Sequence, residues 1–155
     1  MVFGAPGSGK TTFGEKFAHK FGLAYLDLNE VEEQNGFTRD QIFAILELLT
    51  RTRQTIIFEG CMDSEAERIE LRNLLRSVGY EPSLIWLQTD VATLRARLKA
   101  KYRSVKKAKD VYNTAIKLLE APAESEHPII LSGKHTFETQ TKHVIAGLAE
   151  QIDTK

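Results

Sequence analysis

The clearest chemistry in this 155-residue chain is written at its start. Gly4-Ala5-Pro6-Gly7-Ser8-Gly9-Lys10-Thr11 fills every position of the pattern G-x-x-x-x-G-K-[ST], and Thr12 continues it. Glycines let the backbone turn sharply and approach a ligand closely, so successive N–H groups can wrap a phosphate at the positive end of the following helix. Lys10 adds a mobile cation able to bridge β- and γ-phosphate oxygens, and the Thr11 hydroxyl suits a magnesium contact. The flanks agree: Val2-Phe3 reads as a strand before the loop, and Phe13, Phe17 and Phe21 after it form one apolar face of a helix.

Such a loop identifies a nucleotide site rather than a reaction, and kinase, switch and motor must be told apart by other residues. The chain has no N-K-x-D for guanine recognition and no D-x-x-G after its second or third strand, which disfavours a signalling GTPase. A motor ATPase calls for two acids ending the third strand and usually a further domain, whereas Glu59 is followed by Gly60. A small kinase is left. Phosphoryl transfer to a hydroxyl needs a carboxylate that orients the acceptor near the γ-phosphate, and Asp27, at the carboxyl end of the second strand, is placed to supply it. The alternative for Asp27 is a helix cap or loop acid. Glu59 reads as a water-mediated magnesium ligand, or as a longer acid that reaches substrate or satisfies backbone amides.

The elements that must position these groups alternate between strand and helix. Ala24 to Leu28, Thr55 to Glu59, Ser83 to Gln88 and Ile129 to Leu131 are short apolar runs, two of them continuous enough for strands buried on both faces. Between them Ile42, Ile45, Leu46 and Leu49 mark one helix. Leu71, Leu74, Leu75 and Val78 mark the next, which Gly79 stops, with Arg68, Arg72 and Arg76 on another face. Asp90 caps a further helix through Leu94 and Leu98, and Val144, Ile145, Leu148 and Ile152 stripe the last. This order predicts one α/β domain over residues 1–155, a parallel sheet covered on both faces by right-handed crossovers. Only Met1, Val2 and Phe3 precede the loop, so either residues are missing before them or the first strand is short.

Beyond the loop the chain resembles the compact P-loop kinases, especially those similar to the kinase half of polynucleotide kinase. Ile57-Phe-Glu-Gly60, Arg68, Gly79-Tyr80, Leu94-Arg-Ala-Arg97-Leu98, Leu119-Glu-Ala-Pro122 and Glu126 carry the likeness in order over nearly the whole chain. The resemblance implies a three-layer fold, a five-stranded parallel sheet in order 2-3-1-4-5, with a lid between strands four and five near residues 99–112. Leu26-Asp27-Leu28-Asn29-Glu30 is also similar to the strand-two ending of shikimate and gluconate kinases, where two acids sit two residues apart. Here the second is Asn29, which leaves Asp27 to do both jobs or hands one to Glu30. The resemblance further implies that Arg97 stacks on the adenine and that Gly133-Lys134-His135 cradles it through backbone groups. Polynucleotide kinases carry an arginine soon after the strand-two aspartate; Arg39 is the nearest one in this chain.

From Val91 to Lys109 the chain holds eight cations (Arg95, Arg97, Lys99, Lys101, Arg103, Lys106, Lys107, Lys109) and no acid, although Lys plus Arg and Asp plus Glu each total 21 overall. A cationic lid closing over ATP accounts for this run, with Lys101 and Arg103 as phosphate contacts; a solvated helix face is the alternative. Gly60 and Cys61, with Met62, Asp63 and Ser64, fall where ligands approach an open α/β sheet and so are candidates for the acceptor pocket. His19, His143 and Trp86 read as structural. No apolar run approaches a membrane span, the lone cysteine excludes an internal disulfide, and the cytoplasm is the expected address. Three functions remain: a Mg-ATP-dependent kinase of a small hydroxyl-bearing metabolite, a kinase of nucleic-acid 5′-hydroxyl ends, and a nucleotide-binding regulatory ATPase. The sequence names neither the acceptor nor the oligomeric state.

Overall fold

A computed structural model of the chain describes residues 1–153. Five strands, β1 (Val2–Phe3), β2 (Ala24–Asp27), β3 (Ile56–Glu59), β4 (Ile85–Gln88) and β5 (Ile129–Ser132), form one parallel sheet in the order β2-β3-β1-β4-β5. β1 has two residues but pairs on both sides, Val2 with Glu59 and Ile85 and Phe3 with Trp86. Its shortness is tolerable because it is sealed on both faces, Val2 being 0% and Phe3 1% exposed.

Side chains alternate across the sheet and sort into two cores. Val2, Ile57, Ile85, Leu87, Ile129 and Leu131 face α1 (Lys10–Phe21) and α7 (Phe137–Asp153), which contribute Phe13, Phe17 and Val144. Phe3 and Phe58 face the other way, toward α3 (Arg39–Thr50) and α4 (Glu65–Ser77), which bring Ile42, Leu46, Leu71 and Leu75. A third, smaller core joins Ala5 to Leu94 and Leu98 of α5 (Val91–Tyr102) and to Ala108 and Tyr112 of α6 (Val105–Leu118).

The structure adds two helices to the sequence reading. α2 (Leu28–Asn35) begins at once after β2, capped by Asp27 and closed by Gly36. The basic run does not continue as one helix: Arg103 adopts φ +51° and Ser104 caps α6, so α5 and α6 fold back as a hairpin. Several apolar positions assigned to buried stripes are exposed instead. Phe21, Ile145 and Ile152 are 41%, 50% and 73% exposed.

The largest fully buried side chain is Arg68, which the sequence placed on a non-core face of its helix. Its Nε and Nη2 donate to Glu126 Oε2 and Oε1 at 2.8 and 2.9 Å, and its Nη1 donates to the carbonyls of Met62, Asp63 and Glu120. The neighbouring Arg72 donates to the Glu126 carbonyl at 2.7 Å, so this face of α4 is turned inward. Removing one partner of such a pair strands a buried charge, whereas removing both does not. Arg68→Met is therefore expected to lower the free energy of unfolding in urea by about 3–5 kcal/mol, and the added Glu126→Met change to recover much of that loss.

Candidate active site

The phosphate loop bridges β1 and α1, and its geometry follows from its glycines. Gly9 sits at the helix N-cap with φ +105°, a conformation that leaves the first amides of α1 turned toward the loop. Lys10 folds back over the loop, its Nζ donating to the Gly4 carbonyl at 2.8 Å and the Ala5 carbonyl at 3.4 Å, and lies 3.9 Å from Glu59 Oε2. Burial pushes the Lys10 ammonium below its ordinary range, while Glu59, Asp63 and Asp27 pull it back up. Three carboxylates from different parts of the chain thus act on one ammonium. Register explains two of them, since Asp27 and Glu59 are paired residues at the ends of adjacent parallel strands.

Asp27 is both things the sequence allowed. Its Oδ1 caps α2 by accepting from the amides of Asn29 and Glu30 at 3.0 and 3.2 Å, and among the described residues no hydrogen bond engages its Oδ2. Asn29 takes a scaffold role: its Oδ1 accepts from the Cys61 amide at 3.3 Å, strapping α2 to the turn after β3. Gly60 makes that strap feasible, because a Cβ there would lie 2.6 Å from Asn29 Oδ1. Glu30 accepts from Gln34 along its own helix at 2.7 Å. Arg39 is also engaged elsewhere, pairing with Glu67 and Glu70 of α4 at 2.8 and 2.9 Å.

On the other side of Lys10 lies a cleft of about 450 Å³. Gly7, Ser8, Gly9, Lys10, Thr11 and Thr12 form its floor, and Arg97, Lys101, Gly133 and His135 line its sides. The sequence reading gathered all of these; Phe13, Lys16, Phe137 and Gln140, which also line it, carry no local signature that marks them. Arg97 straps the loop, its Nη1 donating to the Gly7 and Ser8 carbonyls and its Nη2 to the Gly133 carbonyl at 2.9 Å. Lys134 turns out of the cleft to pair with Asp90 at 2.6 Å. Lys101 follows Arg97 by one turn and faces the cleft, whereas Arg103 stays in the exposed α5–α6 turn, outside it.

Of the group after β3, Met62 and Ser64 leave the pocket reading: Met62 is buried in the core, and Ser64 caps α4. Asp63 is fixed by its backbone, whose carbonyl accepts from Arg68 and from the Glu120 amide. The sequence reading missed Tyr25, whose hydroxyl donates to Glu59 Oε1 at 2.5 Å.

The chain belongs to the AAA domain family, whose model matches residues 1–125. Membership implies nucleotide binding, as the phosphate loop does. No curated protein matches the chain in sequence. The fold recurs in a gluconokinase from Sinorhizobium meliloti 1021 at TM-score 0.73 and 18% identity, covering 99% of this chain and 92% of that one. A sugar kinase from Janibacter sp. HTCC2649 gives TM-score 0.66 at 21% identity, over 96% of this chain and 92% of the other. Shikimate kinase from Aquifex aeolicus vf5 gives 0.60 at 17%, over 97% and 96%. No helix among the described residues is long and apolar enough to cross a membrane.

Cys61 is a probe of the turn after β3, where its amide meets Asn29 of α2. Burial, then the nearby Glu32 carboxylate, raises its thiol to about 11 from an ordinary value of 9. At pH 8 the folded chain is expected to react with iodoacetamide about a hundredfold more slowly than the urea-unfolded chain, because only the thiolate attacks. Between pH 9 and 11 the unfolded state gives up this proton first, so stability falls as pH rises. That slope should shrink in Cys61→Ala.

Proposed function

We propose that the protein is a kinase that transfers the γ-phosphoryl group of Mg-ATP to a hydroxyl of a small molecule. The observation that carries this reading is the placement of Asp27 and Glu59 at the carboxyl ends of β2 and β3, about Lys10 at the start of α1, beside a cleft floored by the phosphate loop. The solved neighbours, which include kinases described as acting on gluconate, a sugar and shikimate, support it at the level of fold.

In this mechanism the amides of the phosphate loop and Lys10 hold the phosphates, and Lys10 exchanges its contacts with the Gly4 and Ala5 carbonyls for phosphate oxygens. Asp27 accepts a hydrogen bond from the acceptor hydroxyl through Oδ2, its other oxygen being fixed by the helix cap. A loose phosphoryl-transfer transition state asks for orientation more than for basicity, so a capped carboxylate suits the task. Arg97 and Lys101 stabilise charge from the α5 side. Magnesium favours one or two protein oxygens together with substrate phosphates. The Thr11 hydroxyl and Glu59 carboxylate, both beside the Tyr25 phenol, are donors of that kind. Bound with ATP, the ion would neutralise charge on the β- and γ-phosphates.

A small acceptor is favoured over a nucleic-acid end by charge. α2 carries Glu30, Glu32 and Glu33 and no cation, and Arg39 is already neutralised by Glu67 and Glu70. A polyanion approaching Asp27 would meet repulsion on this side.

The test is transfer of labelled γ-phosphate from Mg-ATP to two pools, cellular metabolites and 5′-hydroxyl oligonucleotides, with Lys10→Ala as the blank. Label in the metabolite pool alone, absent from the blank, is the expected result. Label in oligonucleotides would select the nucleic-acid reading, and label only in free phosphate the regulatory ATPase. Asp27→Asn is expected to lower kcat about 10²–10⁴-fold at an unchanged KM for ATP. Because asparagine caps helices as well as aspartate, α2 is preserved in that variant.

A further inference from the structure

Glu59 is 2% exposed, and both of its carboxylate oxygens are engaged within the protein. Oε2 faces the Lys10 ammonium at 3.9 Å, and Oε1 accepts the Tyr25 phenol at 2.5 Å. The Thr11 hydroxyl also acts on this phenol, which is thus linked to both groups suited to the metal side of a bound nucleotide. β2 carries Tyr25 two residues before Asp27, so the two project to the same side of the strand. The ring is seated on α1 at Gly14, where a Cβ would come within 2.6 Å of Tyr25 Cε2. Any larger residue at 14 would displace the ring from this seat. Burial and the bond to Glu59 raise the phenol's pKa, so it stays protonated and donating throughout the working range.

We propose that Tyr25 is a positioning residue of the nucleotide site, its hydroxyl holding the Glu59 carboxylate beside Thr11 and Lys10 so that metal-bound nucleotide meets a preset acid. A glutamate has one more rotatable bond than an aspartate, and without a clamp its carboxylate could swing fully onto Lys10 or away from the loop. The phenol removes that freedom. A neutral donor also fixes the carboxylate without cancelling its charge, as a second cation would. Groups that orient a ligating or water-holding carboxylate change metal affinity when removed, although they never touch the ion. This inference rests on nucleotide binding and not on the transfer reaction, so it stands or falls apart from the identity of the acceptor.

Calorimetric titration of ATP into the full chain tests it, over a series of magnesium concentrations and with none. Tyr25→Phe keeps the ring on Gly14 and removes one oxygen. It is expected to raise the magnesium concentration for half-maximal tightening of ATP binding about tenfold, while metal-free ATP binding stays within about twofold. Gly14→Ala, which retains the hydroxyl but displaces it, should move the magnesium dependence in the same direction. In a Glu59→Gln background the Tyr25→Phe change should add little, because the two act as one unit. An unchanged magnesium dependence in Tyr25→Phe would overturn the proposal. So would an equal loss of metal-free binding, which would mark the phenol as structural packing for the loop.

Discussion

A guanidinium sealed from water is the constraint on which the rest of this structure depends. Arg68 has no exposed surface, lies 4.8 Å from the ring of Phe3, and binds the carbonyls of Met62 and Asp63 together with Glu126. It therefore fixes three segments relative to one another: the end of β1, where the phosphate loop starts, the loop after β3, and the connection entering β5. Burying two charges is costly, and a well-packed apolar pair would serve stability as well or better. What an ion pair with directional hydrogen bonds adds is a single geometry. Apolar side chains in the same place could slide, and with them Asp63 and the turn that carries Cys61.

With that frame set, the site is organised around excess negative charge on a single ammonium. Lys10 faces Glu59, Asp63 and Asp27. These carboxylates oppose the effect of burial, which on balance still lowers the ammonium's pKa. Arg97 works differently. Its guanidinium is spent on the carbonyls of Gly7, Ser8 and Gly133, so it ties α5 and the turn after β5 to the phosphate loop.

The basic run illustrates how helical geometry divides a charge cluster among tasks. Of the eight cations between residues 91 and 109, Arg97 and Lys101 share a face one turn apart and line the cleft. Arg95 lies over the ring of Tyr112 and Lys107 over that of Tyr102, helping to hold α5 against α6. Arg103 marks the point where the chain turns back. A tally of charge marked the segment as basic, but only the helix phase and the break at residue 103 show which side chains line the cleft.

The sequence by itself determined the phosphate loop, the alternation of strand and helix, and the placement of Asp27 and Glu59 at strand ends. Each of these is local: a glycine pattern, a hydrophobic period, or a position relative to a run of apolar residues. The strand order also followed, through family likeness. What only the tertiary structure decided is which polar groups meet. Tyr25 and Glu59 are separated by 34 residues and Arg68 and Glu126 by 58, and neither residue of either pair has a local signal naming its partner. Asn29, which read as a missing acid, proved to be a strap to Cys61, and Arg39 was claimed by α4. Such outcomes depend on strand register and helix phase across the sheet. A buried polar group must be satisfied by whatever the fold brings beside it, and that neighbour is fixed in space rather than along the chain.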